Sequence, residues 1–487
     1  MHILSVDVGT TSMRGILYDS SGRALNTASR QTPLVFKNGL IEQTPEAFLK
    51  SLVSICQETT EQFPVDAVSL TAFRSAPTLV DEDGEALCNF IMWQDTRNQE
   101  ICERLSWADD MVYQTCGAGL NAVFTASKIT WLREQRPELY HKARKAMVVP
   151  DFLIHFMTGR FVTDYTYGSR SSLMNIRTLK WDDEMCRLFQ VDKEKLCTLI
   201  PQGSTAGQIQ KSFSQITGIR EGIPVICAGG DQQCSALGLG ALDASSLVIN
   251  SGTGSFILSL SDEPYLKNHS MICNVSAIPG MYILESNILA CAAAVNWLIK
   301  ELFPELWLGG EPDFERFNAL ASQAPPLSGG ILCVPHFQGC GTRDWNPAAR
   351  ASFSGLSLGN SRADLARALY EGIAAEIARS VSALPASCQN AEKIYVGGGL
   401  SKSSVYNQIL SDMLGKPLLK YPDSQATAIG AFASAAVTLG LFPHYQAALA
   451  AARKGTEAES CTPSESLHAL YLEYIKKTEH IYQVLKP

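Results

Sequence analysis

Past the apolar run Ile223 to Ala228 stands Gly229-Gly230-Asp231-Gln232-Gln233. An apolar strand ending in two glycines and a carboxylate puts the carboxylate at the C-terminal edge of a sheet, where α/β folds bind ligands. Asp231 could there take a proton from a substrate hydroxyl as a general base. It could equally be an ordinary helix N-cap. A second kind of chemistry lies at the N-terminus, in MHILSVDVGTTSMRGILYDSSGR. Gly9-Thr10-Thr11-Ser12 is a tight turn of glycine and small hydroxyl residues between two strands, Ile3 to Val8 and Met13 to Tyr18. Backbone N–H groups and hydroxyls in such a turn can face an anion and bind phosphate. Asp7 would repel bare phosphate, but it can hold a water of a phosphate-bound Mg²⁺. A plain β-hairpin reads the same way. The arrangement returns in SLVINSGTGSFILSL, from Ser246 to Leu260, with Gly252-Thr253-Gly254-Ser255 as its turn. Two phosphate-type hairpins, each leading one half, suggest two similar domains facing one nucleotide.

The elements that must position these residues follow from pattern. Thr44-Pro45-Glu46 opens a helix with Phe48, Leu49, Leu52, Val53 and Cys56 on its apolar face. Val65 to Thr71 reads as a strand with Phe73-Arg74-Ser75 just past its end, and Pro77 to Val80 as a continuation of the sheet. Ile91 to Arg97 is an apolar entry into a polar segment that carries Trp93. Helices are expected at Ser127 to Gln135, Asp151 to Met157 and Cys234 to Leu239, with Thr163-Asp164-Tyr165 and Ser169-Arg170 in a polar loop. The second half should hold helices at Ala290 to Leu302, Arg362 to Leu384, Ser401 to Leu414 and Ala426 to Leu439. Between them lie strands at Ile331 to Pro335 and Ile394 to Val396, and a loop from Gly339 to Arg350. The boundary falls near Ala241 to Ser245, which gives domains 1–243 and 244–487.

A chain of 487 residues is too long for one core, which agrees with two domains. The net charge of −8, with no cluster of Lys or Arg, argues against nucleic acid. The 14 cysteines include no C-x-x-C pair and read as buried thiols, so no zinc site is expected. No apolar run reaches membrane-spanning length and no signal segment opens the chain, so a cytoplasmic protein without a membrane partner is expected. No G-x-x-x-x-G-K-[ST] occurs, which excludes a P-loop nucleotide site.

The two hairpins and the GGDQQ segment resemble the FGGY carbohydrate kinases of the actin-like ATPase superfamily, most of all the glycerol kinase branch. The likeness runs from Ile3 to about Phe442. Lys128-Ile129-Thr130-Trp131-Leu132 is similar to one family signature and Ala351 to Glu371 to the other. Thr163-Asp164-Tyr165, Ser169-Arg170 and Trp181-Asp182-Asp183 resemble glycerol kinases in particular. The resemblance implies an α/β fold of two ribonuclease H-like domains with a nucleotide cleft between them. It implies ATP and Mg²⁺ as cofactors, a small sugar or polyol as acceptor, and it leaves a homodimer open. It implies Asp231 as the base, with Gln232, Arg74, Trp93 and Phe256 around the acceptor. Thr10, Thr11, Ser12, Arg14 and Thr253 match phosphate positions, Gly399 and Ser403 the adenosine end, and Asp7 the Mg²⁺ site.

Several positions depart from the glycerol kinase pattern. Ser75 replaces a glycerol-binding glutamate, and Val123 a glycerol-binding tyrosine. Ala292 replaces a glycine and Asn296 a glutamine near the nucleotide. The Gln-Met-His-Gly segment of xylulose kinases is missing at Arg74. The expected acceptor is therefore a pentulose or a polyol longer than glycerol, with Ser75 and Gln94 in reach of its extra hydroxyls. The alternatives are a glycerol kinase with an altered pocket, and an actin-like scaffold or regulator without kinase activity.

Overall fold

A computed structural model describes residues 1–267, 269–422 and 425–486. Two sheets organise them. The first has six strands in the order Thr205–Gln208, Pro224–Gly230, Ala67–Ala72, Ile3–Val8, Ser12–Tyr18, Ala24–Gln31. The second has seven, in the order Ile272–Val275, Tyr282–Ile288, Ser255–Ser261, Ser246–Ser251, Lys393–Gly397, Leu418–Lys420, Glu459–Cys461. Each sheet starts from an antiparallel hairpin, which is Ile3–Val8 with Ser12–Tyr18 in one and Ser246–Ser251 with Ser255–Ser261 in the other. In each, the leading strand also pairs in parallel with a later strand, Ala67–Ala72 or Lys393–Gly397. Each continues through a second parallel strand to an antiparallel edge. Six strands thus repeat in order and direction, and Ile272–Val275 is an addition to the second sheet.

The leading strands are buried on both faces, which is why they read as continuous apolar runs. Helix Pro45–Thr60, capped by the Thr44 hydroxyl, covers part of the first sheet through Phe48, Leu52, Ile55 and Cys56. Leu49 and Val53 sit half-buried at the margin of that face. Helix Ala426–Thr438 comes late in the chain yet lies on the first sheet. Its carbonyls at Ala428 and Ala431 accept the Ser5 and Ser69 hydroxyls at 2.8 and 2.7 Å. It also packs on helix Asp231–Leu239 at backbone contact. A Cβ on Gly238 would sit 1.7 Å from the Ala426 carbonyl oxygen, and one on Gly430 1.9 Å from that of Cys234. The far end of the Asp231–Leu239 helix, at Ala236 and Leu239, joins a cluster with Val248 and Tyr395 of the second sheet. Asp231 therefore stands on a helix gripped from both sides.

Three segments differ from their sequence patterns. Pro77–Val80 leaves the central sheet and pairs with Lys145–Val148, because the chain turns at Ser75, whose φ of 66° is left-handed. Thr163-Asp164-Tyr165 is not a loop: Val162–Asp164 is a strand paired with Thr198–Ile200, and Tyr165–Gly168 a helical turn. Polar residues can be buried here because the Asp164 carboxylate accepts the N–H of Thr166 at 2.7 Å and the Cys227 thiol at 2.9 Å. The helix expected from Ser401 starts as a tighter turn, Gly399–Lys402, and becomes α-helical at Ser404–Leu414 with Ser403 as cap. All cysteines are free thiols, and all but Cys88 and Cys461 are buried. Among the described residues no helix is long and apolar enough to cross a membrane.

Candidate active site

Asp231 owes its position to the end of strand Pro224–Gly230. The strand slips register between Cys227 and Gly229, and Gly229 takes φ 115°, open to glycine. Gly230 is the helix cap and Asp231 the first helical residue, so the carboxylate does not cap this helix. Its Oδ1 accepts the Gln232 N–H at 2.8 Å and lies 3.5 Å from Arg74 Nε. Burial raises its pKa, and the Arg74 charge opposes this only in part. A raised carboxylate is a better proton acceptor than an ordinary one.

Arg74 is 7 % exposed and lies just past the end of strand Ala67–Ala72. Its Nη1 donates to Glu285 Oε2 at 2.8 Å and to Gln233 Oε1 at 3.3 Å. Glu285 comes from the second sheet, is 0 % exposed, and also faces Arg170 Nη1 at 3.3 Å. Burial works against its charge, but Arg170 and Arg74 outweigh it and hold the pKa below the usual value. Arg170 in turn lies over the Phe124 ring, 4.8 Å from its centre. Sequence reasoning passed over Glu285; its signal was one acid within the largely apolar run Tyr282–Ile288. Gln232 reaches across as well, its Oε1 accepting from Asn250 Nδ2 of the second sheet at 3.5 Å.

The other residues expected around the acceptor are placed as follows. Trp93 is exposed and donates its indole N–H to Thr10 Oγ1 at 3.1 Å, so it stands against the Gly9 to Ser12 turn. Ser75 is buried, and its hydroxyl donates to the Arg170 carbonyl at 3.3 Å. Gln94 keeps a buried Oε1 with no hydrogen-bond partner among the described residues. Val123 packs with Phe124 and Ala118, and from the second half Ile272 and, in the Gly339 to Arg350 loop, Trp345 join them. Phe256 is half-buried, opposite Asn250 and Asn287 in the ladder.

The first turn closes with Gly9 N–H donating to the Ser12 carbonyl at 2.8 Å, leaving Thr11 exposed. Arg14 faces Asp7 across the hairpin. Burial, then the Asp231 charge, pushes the Asp7 carboxyl up to about 7 against the pull of Arg14. A buried carboxyl raised further by a neighbouring carboxylate is short of a cation, and a divalent ion suits it. The second turn closes with Gly252 N–H donating to the Gly254 carbonyl at 2.8 Å and leaves Thr253 exposed. The Thr253 carbonyl accepts the N–H of Cys291 and of Ala293 at 2.8 and 3.1 Å, which seats helix Ala292–Leu302 on the turn. Asn296 on that helix keeps a buried Oδ1 with no hydrogen-bond partner among the described residues. Gly398, with φ 84°, brings its backbone so near that a Cβ would sit 2.4 Å from the Ser251 carbonyl oxygen. A Cβ on Gly399 would meet open space. Ser403 is buried, caps its helix and donates its hydroxyl to Asn318 at 2.7 Å.

The family model described as "FGGY family of carbohydrate kinases, N-terminal domain" matches residues 2–238, and that of the C-terminal domain residues 247–439. A glycerol kinase of Citrifermentans bemidjiense is 32% identical over 462 residues, covering 90% of each chain. One of Thermococcus kodakarensis is 31% identical over 443 residues, covering 88% of this chain and 86% of that one. A ligand-bound xylulose kinase from Lactobacillus acidophilus superposes with a TM-score of 0.92 at 25% identity, over 99% of this chain and 98% of that one. The ADP-bound glycerol kinase of Plasmodium falciparum shares the fold, with a TM-score of 0.89 at 23% identity over 99% and 98% of the two chains.

Proposed function

The chain belongs to the FGGY family of carbohydrate kinases, an ATP-dependent kinase of a sugar or polyol, and from this we propose that it phosphorylates a pentulose or a polyol longer than glycerol, with Asp231 as general base. The scaffold alternative falls with the family assignment. The observation that carries the reading is the Asp231, Arg74, Glu285 constellation, in which the carboxylate stands beside a guanidinium anchored from the opposite sheet. Arg74, Gln232 and Trp93 orient the acceptor so that one hydroxyl faces Asp231. That oxygen forms a bond to the γ-phosphorus of ATP, the bond to the β–γ bridging oxygen breaks, and ADP leaves. The hydroxyl proton goes to Asp231. Phosphoryl transfer asks mainly for such positioning and for charge neutralisation. The turns at Thr10-Thr11-Ser12 and Thr253 hold the phosphates from the two halves, which divide at 243/244. Asp7 would hold a water of Mg²⁺, and the ion would neutralise phosphate charge. Gly399 and Asn296 lie toward the adenosine.

Ser75 and Val123 support an acceptor larger than glycerol. Neither offers the charged or phenolic partner of a glycerol site, and each partner withheld from a buried hydroxyl costs about 1–3 kcal/mol. The glycerol kinase relatives favour the second reading, a glycerol kinase with a rebuilt pocket. ADP release with xylulose and with glycerol separates the two. The proposal expects kcat/KM to favour xylulose, and a glycerol preference of about tenfold or more would establish the second reading. In the same assay Asp231→Asn should lose about two to four orders of magnitude in turnover and keep ATP binding. Turnover within about twofold of the native protein would remove Asp231 as the base.

A further inference from the structure

The Lys128-Ile129-Thr130-Trp131-Leu132 segment has no part in the chemistry above, yet its lysine is 0 % exposed. Lysine is almost never fully buried without a reason. The Lys128 ammonium donates to three backbone carbonyls, those of Val123 at 2.8 Å, Ser75 at 3.4 Å and Trp93 at 3.5 Å. These carbonyls come from three separate segments, and each segment carries a residue assigned above to the acceptor pocket. The same helix grips two of those segments again. Ser127 Oγ accepts from Asn98 Nδ2 at 2.7 Å, and Asn98 also donates to the Ala122 carbonyl at 3.0 Å. The Trp131 ring lies under Arg97, 5.0 Å from the guanidinium carbon, and Arg97 pairs with Asp95 at 2.8 Å. Ser75 needs a hold of this kind, because its left-handed φ of 66° costs a non-glycine residue free energy that its surroundings must offset.

We propose that Lys128 is the positioning residue of the acceptor pocket, its ammonium tying the carbonyls of Ser75, Trp93 and Val123 into one frame that sets where Arg74 and Trp93 meet the acceptor. This rests on the assignment of those two residues to the acceptor. The groups that face Lys128 are Asp95, Arg97 and Cys102 from the preceding segments and Arg170. Burial pushes the ammonium down to about 7, opposed first by Asp95. The clamp is therefore mostly charged below about pH 6 and loses its charge as pH rises through about 7.

Hydrogen exchange on Lys128→Met tests the frame whatever the acceptor is. Peptides covering 74–76, 92–95 and 122–124 should exchange about tenfold faster or more, and the turns at 9–12 and 252–254 should not change. With the better of xylulose and glycerol, acceptor KM should rise about tenfold, while KM for ATP stays within about twofold. In the native protein acceptor KM should rise between about pH 6 and pH 9, and Lys128→Arg should remove that rise. Unchanged exchange in the three segments, or a uniform rise across the chain, overturns the proposal. Should Lys128→Met fail to fold, a flat acceptor KM over the same pH range overturns it. If the native protein turns over neither compound, the acceptor assignment fails, and the exchange result still decides the clamp.

Discussion

Glu285→Gln removes one negative charge from between two buried guanidiniums and leaves the shape of the side chain almost unchanged. Glu285 is 0 % exposed, 2.8 Å from Arg74 and 3.3 Å from Arg170. Breaking a buried ion pair by neutralising one member costs about 3–5 kcal/mol, because the other charge stays buried without compensation. Arg74 retains Asp231 at 3.5 Å, and the new amide oxygen can still accept its N–H. Arg170 retains the Phe124 ring, and such a contact contributes about 0.5–2 kcal/mol. The loss should therefore fall at the low end, about 3 kcal/mol, or roughly 6–12 °C in Tm for units of this size. A second effect has a defined sign. The Asp231 pKa is raised first by burial and further by Glu285, and lowered by Arg74. Without Glu285 one raising influence is gone and Arg74 acts on Asp231 alone, so the Asp231 pKa falls. The acid limb of kcat/KM should then move to lower pH. Thermal unfolding and the pH profile of the variant check the two effects. An unchanged Tm refutes the reading of Glu285 as a buried counter-ion. An acid limb that stays or moves up refutes its coupling to Asp231.

Asp7 should make the nucleotide-free protein sensitive to pH. Its folded pKa of about 7 lies above the ordinary 3.8, so its contribution to stability is full below about pH 4 and is lost as pH rises through about 7. Thermal unfolding against pH should show this decline, and Asp7→Asn should flatten it; an equal decline in the variant would assign it to another group. Gly430→Ala should lower stability by about 1–3 kcal/mol, although alanine is the better helix former by about 1 kcal/mol. The new Cβ would lie 1.9 Å from the Cys234 carbonyl oxygen, and calorimetry showing a stabilised variant would rule out the backbone contact.

The sequence by itself determined what short-range chemistry can determine. Two turns of glycine and small hydroxyl residues between apolar runs specify two hairpins, since turn geometry depends on only a few consecutive residues. Gly229-Gly230-Asp231 after an apolar run likewise announces a carboxylate at a strand end. Parallel order was not local. Nothing within Lys393–Gly397 states that it lies beside Ser246–Ser251, yet that pairing makes the two sheets repeat. Nor does the small-residue pattern of Ala426–Thr438 state that this helix lies on the first sheet, where its carbonyls meet Ser5 and Ser69. Glu285 shows the limit most sharply. It is 211 residues from Arg74, and its own strand reads as apolar, so its role as a counter-ion depends on which faces of the two sheets are opposed. Lys128 could be recognised as part of a family signature, but the three carbonyls it holds meet only when their segments converge. Local turns and periodicity are paid for within a few residues, whereas burying a charge is favourable only where distant parts of the chain supply its partners, and that is decided by tertiary packing.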